Sequence, residues 1–81
     1  MHPWATNVDG GAVMYADLGT AVRGVAAAYA GGAHNVDVGC MQISLLWHGR
    51  QFRSLEEAFS PARNVAYGAA LLTELRRESG S

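Results

Sequence analysis

The sequence contains no lysine, one cysteine and two prolines in 81 residues. Its six arginines and seven acidic residues leave a formal net charge of −1, and no stretch of the chain concentrates basic residues. Proteins that follow nucleic acid through its phosphates need a basic stripe, so nucleic acid is not an expected partner. A single cysteine cannot form an internal disulfide and gives no indication of the redox compartment.

Long apolar runs are also missing. The longest, Val25 to Ala30, has six residues, whereas a membrane-spanning helix needs about 20. We therefore expect no integral membrane segment, and no signal peptide is visible. Because 49% of the residues are apolar, the composition is that of a folded chain. Residues 1–81 are expected to form one domain with a small core.

The N-terminal part has the signals of a β-hairpin. Two short extended segments, Trp4 to Val8 and Ala12 to Ala16, flank Asp9-Gly10-Gly11. Asp-Gly between such segments is typical of a tight hairpin turn, because glycine accepts a positive φ. Trp4 is expected to pack with Tyr15 in the core, and stacking of Trp4 on a sugar ring is the alternative.

Helical patterns follow the hairpin. Asp17 is a predicted N-cap, and Gly31-Gly32 is the predicted end of this first helix. Gly24 and its neighbouring alanines make the helix slim, which predicts close packing against another element. The predicted apolar stripe consists of Leu18, Val22, Val25, Ala26 and Tyr29.

The C-terminal half is predicted to begin with an irregular or briefly helical passage from Ser44 to Phe52. Ser54 and Glu57 have the spacing of a capping box that opens a short helix through Phe59. Ser60-Pro61 then opens the last helix, since proline is tolerated at the first helical position. Helical spacing predicts its buried face as Val65, Gly68, Leu72 and Leu75, with Leu71 alongside.

The segment from Asn35 to Ser44 combines a glycine, a long amide and alternating apolar residues. Gly39 permits a backbone conformation that side chains resist, and Gln42 presents an amide with donors and an acceptor. A rigid turn of this kind suits recognition of a hydroxyl-rich ligand such as a sugar. The alternative is a buried turn whose amide bonds its own backbone.

Gly39-Cys40-Met41-Gln42-Ile43 resembles the G-L-M-Q-[IV] motif of the soluble lytic transglycosylases (SLT), goose-lysozyme-like enzymes that cleave bacterial peptidoglycan. Further segments resemble that family in the expected order, and together they cover nearly all of the chain. These segments are His2-Pro3-Trp4, Asn7-Val8-Asp9-Gly10, His34 to Val38, Trp47-His48-Gly49 and Asn64 to Leu72.

The resemblance implies an α+β, mainly helical, lysozyme-like fold with a small N-terminal β-hairpin. In the family, the catalytic glutamate lies in an E-S-G-like helix on the N-terminal side of the hairpin, whereas here Met1 directly precedes the hairpin segment. Glu78-Ser79-Gly80 has the right letters, but it follows the glycine–glutamine turn and is expected to be the charged end of the last helix. We therefore expect residues 1–81 to be a partial SLT domain, a fragment without the catalytic glutamate.

The resemblance also implies the site. The family glutamate acts first as an acid on the glycosidic oxygen and then as a base toward the muramic acid C6 hydroxyl. No residue of this chain is predicted to be catalytic, because its glutamates have exposed-looking helical positions, without the apolar setting that a neutral acid at pH 7 needs. These glutamates are Glu56, Glu57, Glu74 and Glu78. The expected substrate-binding residues are Gly39, Met41, Gln42 and, as a weaker candidate, Ser44.

Other chemistry has weaker support. Three possible metal ligands, His34, Asp37 and Cys40, are evenly spaced, and His48 could be a fourth, but zinc sites usually show firmer Cys or His pairs. Ser44 or Cys40 could serve as a nucleophile with His48 as its base, yet neither lies in a nucleophile elbow. No metal or other cofactor is predicted.

The predicted function is therefore cleavage of the β-1,4 MurNAc–GlcNAc bond by a lytic transglycosylase, which leaves 1,6-anhydromuramoyl ends. The alternatives are a non-catalytic glycan-binding or interaction remnant and a goose-type lysozyme-like hydrolase. The expected partners are peptidoglycan glycan strands, with envelope secretion or conjugation machinery in addition. The expected location is the periplasm or cell envelope, with a signal peptide upstream of residue 1.

Overall fold

The structure, a computed structural model, describes residues 2–78. Ser79 and Gly80 of the predicted C-terminal tripeptide lie outside the described residues. The strands are β1 Ala5–Val8, β2 Gly11–Met14, β3 Val36–Val38 and β4 Ile43–Ser44. The helices are α1 Leu18–Ala30, α2 Leu45–His48, α3 Leu55–Phe59 and α4 Pro61–Glu78, with a 3-10 turn at Gly49–Gln51 between α2 and α3.

The four strands form one antiparallel sheet in the order β2-β1-β3-β4. With the helices around it, the described chain is α+β and mainly helical, as the sequence predicts. None of the helices in residues 2–78 combines the length and the apolar character needed to cross a membrane.

The predicted hairpin is confirmed. Asp9 and Gly10 both have positive φ, 47° and 92°, so the chain reverses through the two-residue turn that matches strand twist. Each strand is shorter than predicted. Trp4 lies outside β1, and β2 is displaced to Gly11–Met14, so Ala16 lies outside it. The Trp4 ring packs on the core with its centroid 6.5 Å from that of Phe59.

Both ends of α1 follow the prediction. The Asp17 carboxylate accepts a hydrogen bond from the Thr20 N–H at 2.8 Å, which caps the first turn. At the other end Gly32 has φ 99°. The Ala33 N–H reaches back to the Ala28 carbonyl at 3.0 Å. This is the arrangement in which glycine usually ends a helix.

The predicted stripe of α1 is partly wrong. Ala21 and Val25 are fully buried, whereas Ala26 and Tyr29 are exposed. Alanines occur on every side of this helix, so their positions do not identify the face that meets the sheet. The predicted close packing is present at Gly24, where an added Cβ would overlap the Tyr15 ring.

The short helix α3 has half of the predicted capping box. Ser54 Oγ accepts a hydrogen bond from the Glu57 N–H at 3.1 Å. The Glu57 carboxylate, however, reaches the N–H of Arg53 at 3.4 Å instead of that of Ser54. The helix ends at Phe59, as predicted, and delivers this fully buried ring to the core.

The core lies between one face of the sheet and helices α1 and α3. Val36 and Val38 point into it from β3, because they are both fully buried while the intervening Asp37 is not. The cluster of buried residues consists of Ala21, Val25, Val36, Val38, Ala58 and Phe59.

The predicted buried face of α4 is also partly wrong. Gly68 is buried, but Val65, Leu72 and Leu75 are 43%, 55% and 61% exposed. The residue that enters the core one turn before Gly68 is Asn64, with no exposed surface. This face receives the turn between β3 and β4, whose backbone needs a hydrogen-bonding partner.

Candidate functional site

The turn between β3 and β4 carries the predicted site residues. Gly39 has φ 80° and Gln42 has φ 50°, and the Gln42 N–H donates to the Gly39 carbonyl at 3.1 Å. A left-handed conformation is uncommon for a residue other than glycine, and the surrounding structure must hold it. The conformation directs the Gln42 side chain back over β1, toward Ala5.

The Gln42 amide has two different ends. Its Nε2 donates to the carbonyls of Ala5, at 3.1 Å, and of Gly39, at 2.9 Å. These bonds agree with the alternative in which the amide bonds its own backbone. Its Oε1, however, accepts no hydrogen bond from the described residues. The Nε2 of Gln42 therefore stabilises the turn, while its Oε1 is left to accept a hydrogen bond from a ligand.

Asn64 fixes this turn from α4. Its Nδ2 donates to the carbonyls of Val38, at 2.8 Å, and Ala58, at 2.9 Å, while its Oδ1 accepts from the Met41 N–H at 2.8 Å. A Cβ added to Gly39 would lie 2.5 Å from Asn64 Nδ2. The close backbone approach at Gly39 is therefore made to Asn64.

Met41 lies against the next turn of the same helix. A Cβ added to Gly68 would lie 2.7 Å from Met41 Cγ, so the glycine makes room for this side chain. Met41 nevertheless remains 37% exposed. Asn64 and Gly68 are four residues apart and share one helix face, which explains why this part of α4 faces the turn.

Next to the turn, the sheet has a second face opposite the core, on which Ala12 and Met14 are exposed. Asp37 points to this side, away from the core that receives Val36 and Val38. The strand register aligns one residue from each strand in a single row, and directly opposite residues share a face. That row, in the order of the strands, is Ala12, Asn7, Asp37 and Ser44. We call this surface, consisting of Asn7, Ala12, Met14, Asp37 and Ser44, the open face.

Two cavities meet at Gln42. One, of about 380 Å³, lies over the hairpin, and the other, of about 290 Å³, lies between the turn and α4. Asn7 and Met14 line the first, and Ser44 and Met41 line the second. Gln42 lines both, so it lies between the cavity at the hairpin and the cavity that reaches the exposed Leu72 and Leu75 of α4.

Asn35 organises the polar groups of the open face. Its Nδ2 donates to Asp37 Oδ1 at 2.9 Å, and its Oδ1 accepts from Ser44 Oγ at 2.9 Å and from the Leu46 N–H at 3.0 Å. The Ser44 hydroxyl proton is thus used within the chain. Asp37 Oδ2 and the Nδ2 of Asn7 make no hydrogen bond to the described residues, so both can meet a ligand.

Sequence reasoning did not identify Asn7 and Asp37 as site residues. The Val-Asp-Val alternation of β3 indicates that Asp37 faces away from the valines. The alignment of Asp37 with Asn7 depends on the pairing of β1 with β3, however, and local pattern does not specify that register.

The other arrangements considered from the sequence are not assembled. His48 Nδ1 lies 2.9 Å from the Tyr67 hydroxyl, and Ser44 Oγ is directed to Asn35. No hydrogen bond among the described residues joins Ser44 to His48. Within residues 2–78, no group of three or more His, Cys, Asp or Glu side chains could hold a metal ion.

Asp9 attaches the hairpin turn to the segment that enters β3. Its carboxylate accepts hydrogen bonds from the backbone N–H of Asn35, at 2.8 Å, and of His34, at 3.0 Å. These two bonds, that of Asn35 first, lower the pKa of Asp9 from its ordinary value of 3.8. The two bonds thereby hold Asn35, the residue before β3, beside the hairpin turn.

A larger cavity, of about 440 Å³, lies elsewhere and is lined by residues of α1, α2 and α3. Its lining is mainly apolar and shares no residue with the two cavities at Gln42. Among its polar groups, Ser54 is already the cap of α3. We favour the open face as the functional site because several free polar groups converge there.

The described positions of three glutamates can be compared with the cavities at Gln42. Glu56 and Glu74 are exposed on α3 and α4, and Glu57 is bonded to the backbone of Arg53. None of the three lines either cavity at Gln42, and the side chain of Glu78 lies outside the described residues. Comparisons with protein-family models, with curated proteins and with solved structures found no match to this chain.

Proposed function

We propose that this chain is the substrate-cleft part of a lysozyme-like lytic transglycosylase domain and binds a peptidoglycan glycan strand across the open face at Gln42. The observation that carries the proposal is the conformation of Gln42. Its positive φ, its two donor bonds to backbone and its unbonded Oε1 hold one amide acceptor at the junction of two cavities.

The chemistry of the surface suits a sugar. A glycan presents hydroxyl and acetamido groups at its edges and C–H groups on its ring faces. Gln42 Oε1 can accept from a sugar N–H or O–H. Met14 and Met41, 66% and 37% exposed, offer adaptable apolar contacts on either side of the amide.

In the proposed reaction, this chain binds and orients the glycan. Gly39 holds the turn, and Met41, Gln42 and Ser44 line the cleft. A glutamate protonates the glycosidic oxygen and then removes the proton from the muramic acid C6 hydroxyl. None of Glu56, Glu57 and Glu74 lines the cleft, so this role is assigned to none of them. The reaction takes place in the periplasm or cell envelope, where the glycan is found.

A non-catalytic glycan-binding module is the second candidate. It is favoured by the positions of Glu56, Glu57 and Glu74, none of which lines the cavities at Gln42. A goose-type hydrolase is the third, and it differs from the transglycosylase only in using water in place of the C6 hydroxyl.

Digestion of purified peptidoglycan by the protein as its native cell produces it, followed by mass spectrometry of the soluble products, separates these candidates. Products with 1,6-anhydromuramoyl ends would support the transglycosylase. Products with intact reducing ends would support the hydrolase instead. Binding of the protein to peptidoglycan without any product would support the non-catalytic binding module. A protein that neither binds nor cleaves peptidoglycan would overturn the proposal.

The role of Gln42 is tested separately with Gln42→Asn. Asparagine tolerates the left-handed conformation, but its shorter side chain withdraws the acceptor. We expect binding of chitotetraose, measured by calorimetry, to weaken about tenfold, as for the loss of one or two hydrogen bonds. Gln51→Asn, at an exposed amide in the 3-10 turn, is the matched control and should bind as the wild type does.

A further inference from the structure

The polar row of the open face has an arrangement that the Gln42 site does not explain. Asn7, Asp37 and Ser44 lie side by side on β1, β3 and β4. Their neighbours on the same face of β1 and β2 are Ala5 and Met14, without a polar side chain. The hydrogen-bonding groups are therefore concentrated in one line across the sheet.

This line lies at a defined distance from Gln42. The Gln42 amide is bonded to the carbonyl of Ala5, and Asn7 is two residues further along β1. Two residues of a β-strand span about 6.6 Å, which is slightly more than the repeat of one sugar residue along a β-1,4 glycan. A glycan strand that lies along β1 therefore places one sugar ring at Gln42 and the next at Asn7 and Asp37.

Asn7 and Asp37 offer complementary hydrogen-bonding groups. Asn7 Oδ1 is occupied by the Gly10 N–H at 2.8 Å, so its Nδ2 is the end that is left to donate. Asp37 Oδ1 is occupied by Asn35 Nδ2 at 2.9 Å, so its Oδ2 is the end that is left to accept. One donor and one charged acceptor thus face the same surface from adjacent strands.

From this geometry we propose that Asn7 and Asp37 form a second sugar-binding position, one ring along the glycan from Gln42. Asp37 Oδ2 accepts a hydrogen bond from a hydroxyl or acetamido N–H of this ring, and Asn7 Nδ2 donates one to a ring substituent oxygen. The inference rests on the proposed function, because it assumes that the ligand is a glycan.

Asp37→Asn is the informative variant. Its Oδ1 can still accept from Asn35, so the hydrogen bonds that orient Asn35 toward Ser44 and α2 are kept. The variant removes the charge and places an amide on one side of the former carboxylate. We expect the Kd for chitotetraose to rise about tenfold, as for the loss of one charge-assisted hydrogen bond, with an unchanged midpoint of urea unfolding.

The matched control is Glu56→Gln, which removes an exposed carboxylate on α3, away from the open face. It should bind chitotetraose with the wild-type Kd. In a two-dimensional amide spectrum of the wild type, the signals of Asn7 and Asp37 should shift on addition of chitotetraose together with that of Gln42.

The outcomes distinguish this inference from the function on which it rests. Weaker binding by both Asp37→Asn and Gln42→Asn, with normal binding by Glu56→Gln, supports both. Normal binding by Asp37→Asn with weakened binding by Gln42→Asn overturns the second position and leaves the Gln42 site. If the wild type binds neither chitotetraose nor peptidoglycan, the proposed function fails and the second position fails with it.

Discussion

The buried Asn64 side chain accepts the backbone N–H of Met41 at 2.8 Å. With its two donor bonds to the carbonyls of Val38 and Ala58, one carboxamide joins the β3–β4 turn, the end of α3 and helix α4. The turn that carries Gln42 therefore owes its position to a residue of the last helix.

Replacement of Asn64 by alanine should strongly destabilise the fold. Three backbone groups that are bonded to Asn64 would lose their partner, and each such group costs about 1–3 kcal/mol when it stays unsatisfied. We expect a loss of about 3 kcal/mol or more in the free energy of unfolding, measured with urea. Thr73→Ala, which removes an exposed hydroxyl from the same helix, is the control. A similar small effect of both substitutions would contradict the role of Asn64.

Gly39 and Gly10 provide a comparison of steric contact at similar backbone conformations. Both have positive φ, 80° and 92°, but a Cβ at Gly10 meets nothing within 4 Å, whereas one at Gly39 meets Asn64. Gly10→Ala should cost about 1–2 kcal/mol from the left-handed backbone alone. Gly39→Ala should cost about 1–3 kcal/mol more because it also overpacks the turn.

Urea unfolding of the two alanine variants measures this difference. Equal losses of stability would show that Asn64 yields to the added methyl group. Such a result would leave Gly39 with a conformational role only.

Much of the fold could be predicted because its signals are local. Asp9-Gly10 specifies the hairpin turn, Asp17 and Ser54 cap the helices that follow them, and Gly32 ends α1. In each case the residue acts on backbone groups a few positions away, so the sequence alone contains the relevant geometry.

The remainder depends on contacts between distant segments. The apolar spacing on α4 predicts that Val65 and Leu72 are buried. Asn64 is buried instead, because the turn before β4 needs hydrogen bonds from its side chain. The alignment of Asn7 with Asp37 was not predicted for a similar reason. Asn7 and Asp37 meet only through the pairing of β1 with β3, 30 residues apart in sequence.

The contact between Gly24 and Tyr15 should reverse the usual effect of a helix substitution. Glycine inside a helix normally costs about 1 kcal/mol relative to alanine. Here a Cβ at Gly24 would overlap the Tyr15 ring, so Gly24→Ala should destabilise the wild type by about 1–3 kcal/mol. In a Tyr15→Ala background the same change should instead stabilise the protein by about 1 kcal/mol.

A double-mutant cycle of unfolding free energies tests this reversal. It compares the wild type, Gly24→Ala, Tyr15→Ala and the double variant. If Gly24→Ala has the same effect with and without the tyrosine ring, the two residues do not interact and the packing between α1 and the hairpin lies elsewhere.

The stability of the protein should fall in acid partly through Asp9. The Asn35 and His34 N–H groups lower the pKa of this carboxylate below 3.8 in the folded state, while the unfolded chain has the ordinary value. Folding therefore favours the charged form, so this contribution is complete above about pH 5 and is lost as the pH falls through the folded pKa. Asp9→Asn keeps the left-handed turn and an acceptor, but it should show a shallower loss of stability between about pH 5 and pH 2. Urea unfolding across this range, with NMR titration of the Asp9 carboxyl carbon, provides the measurement. An acid limb identical to that of the wild type would mean that the bonds to the Asp9 carboxylate do not stabilise the fold.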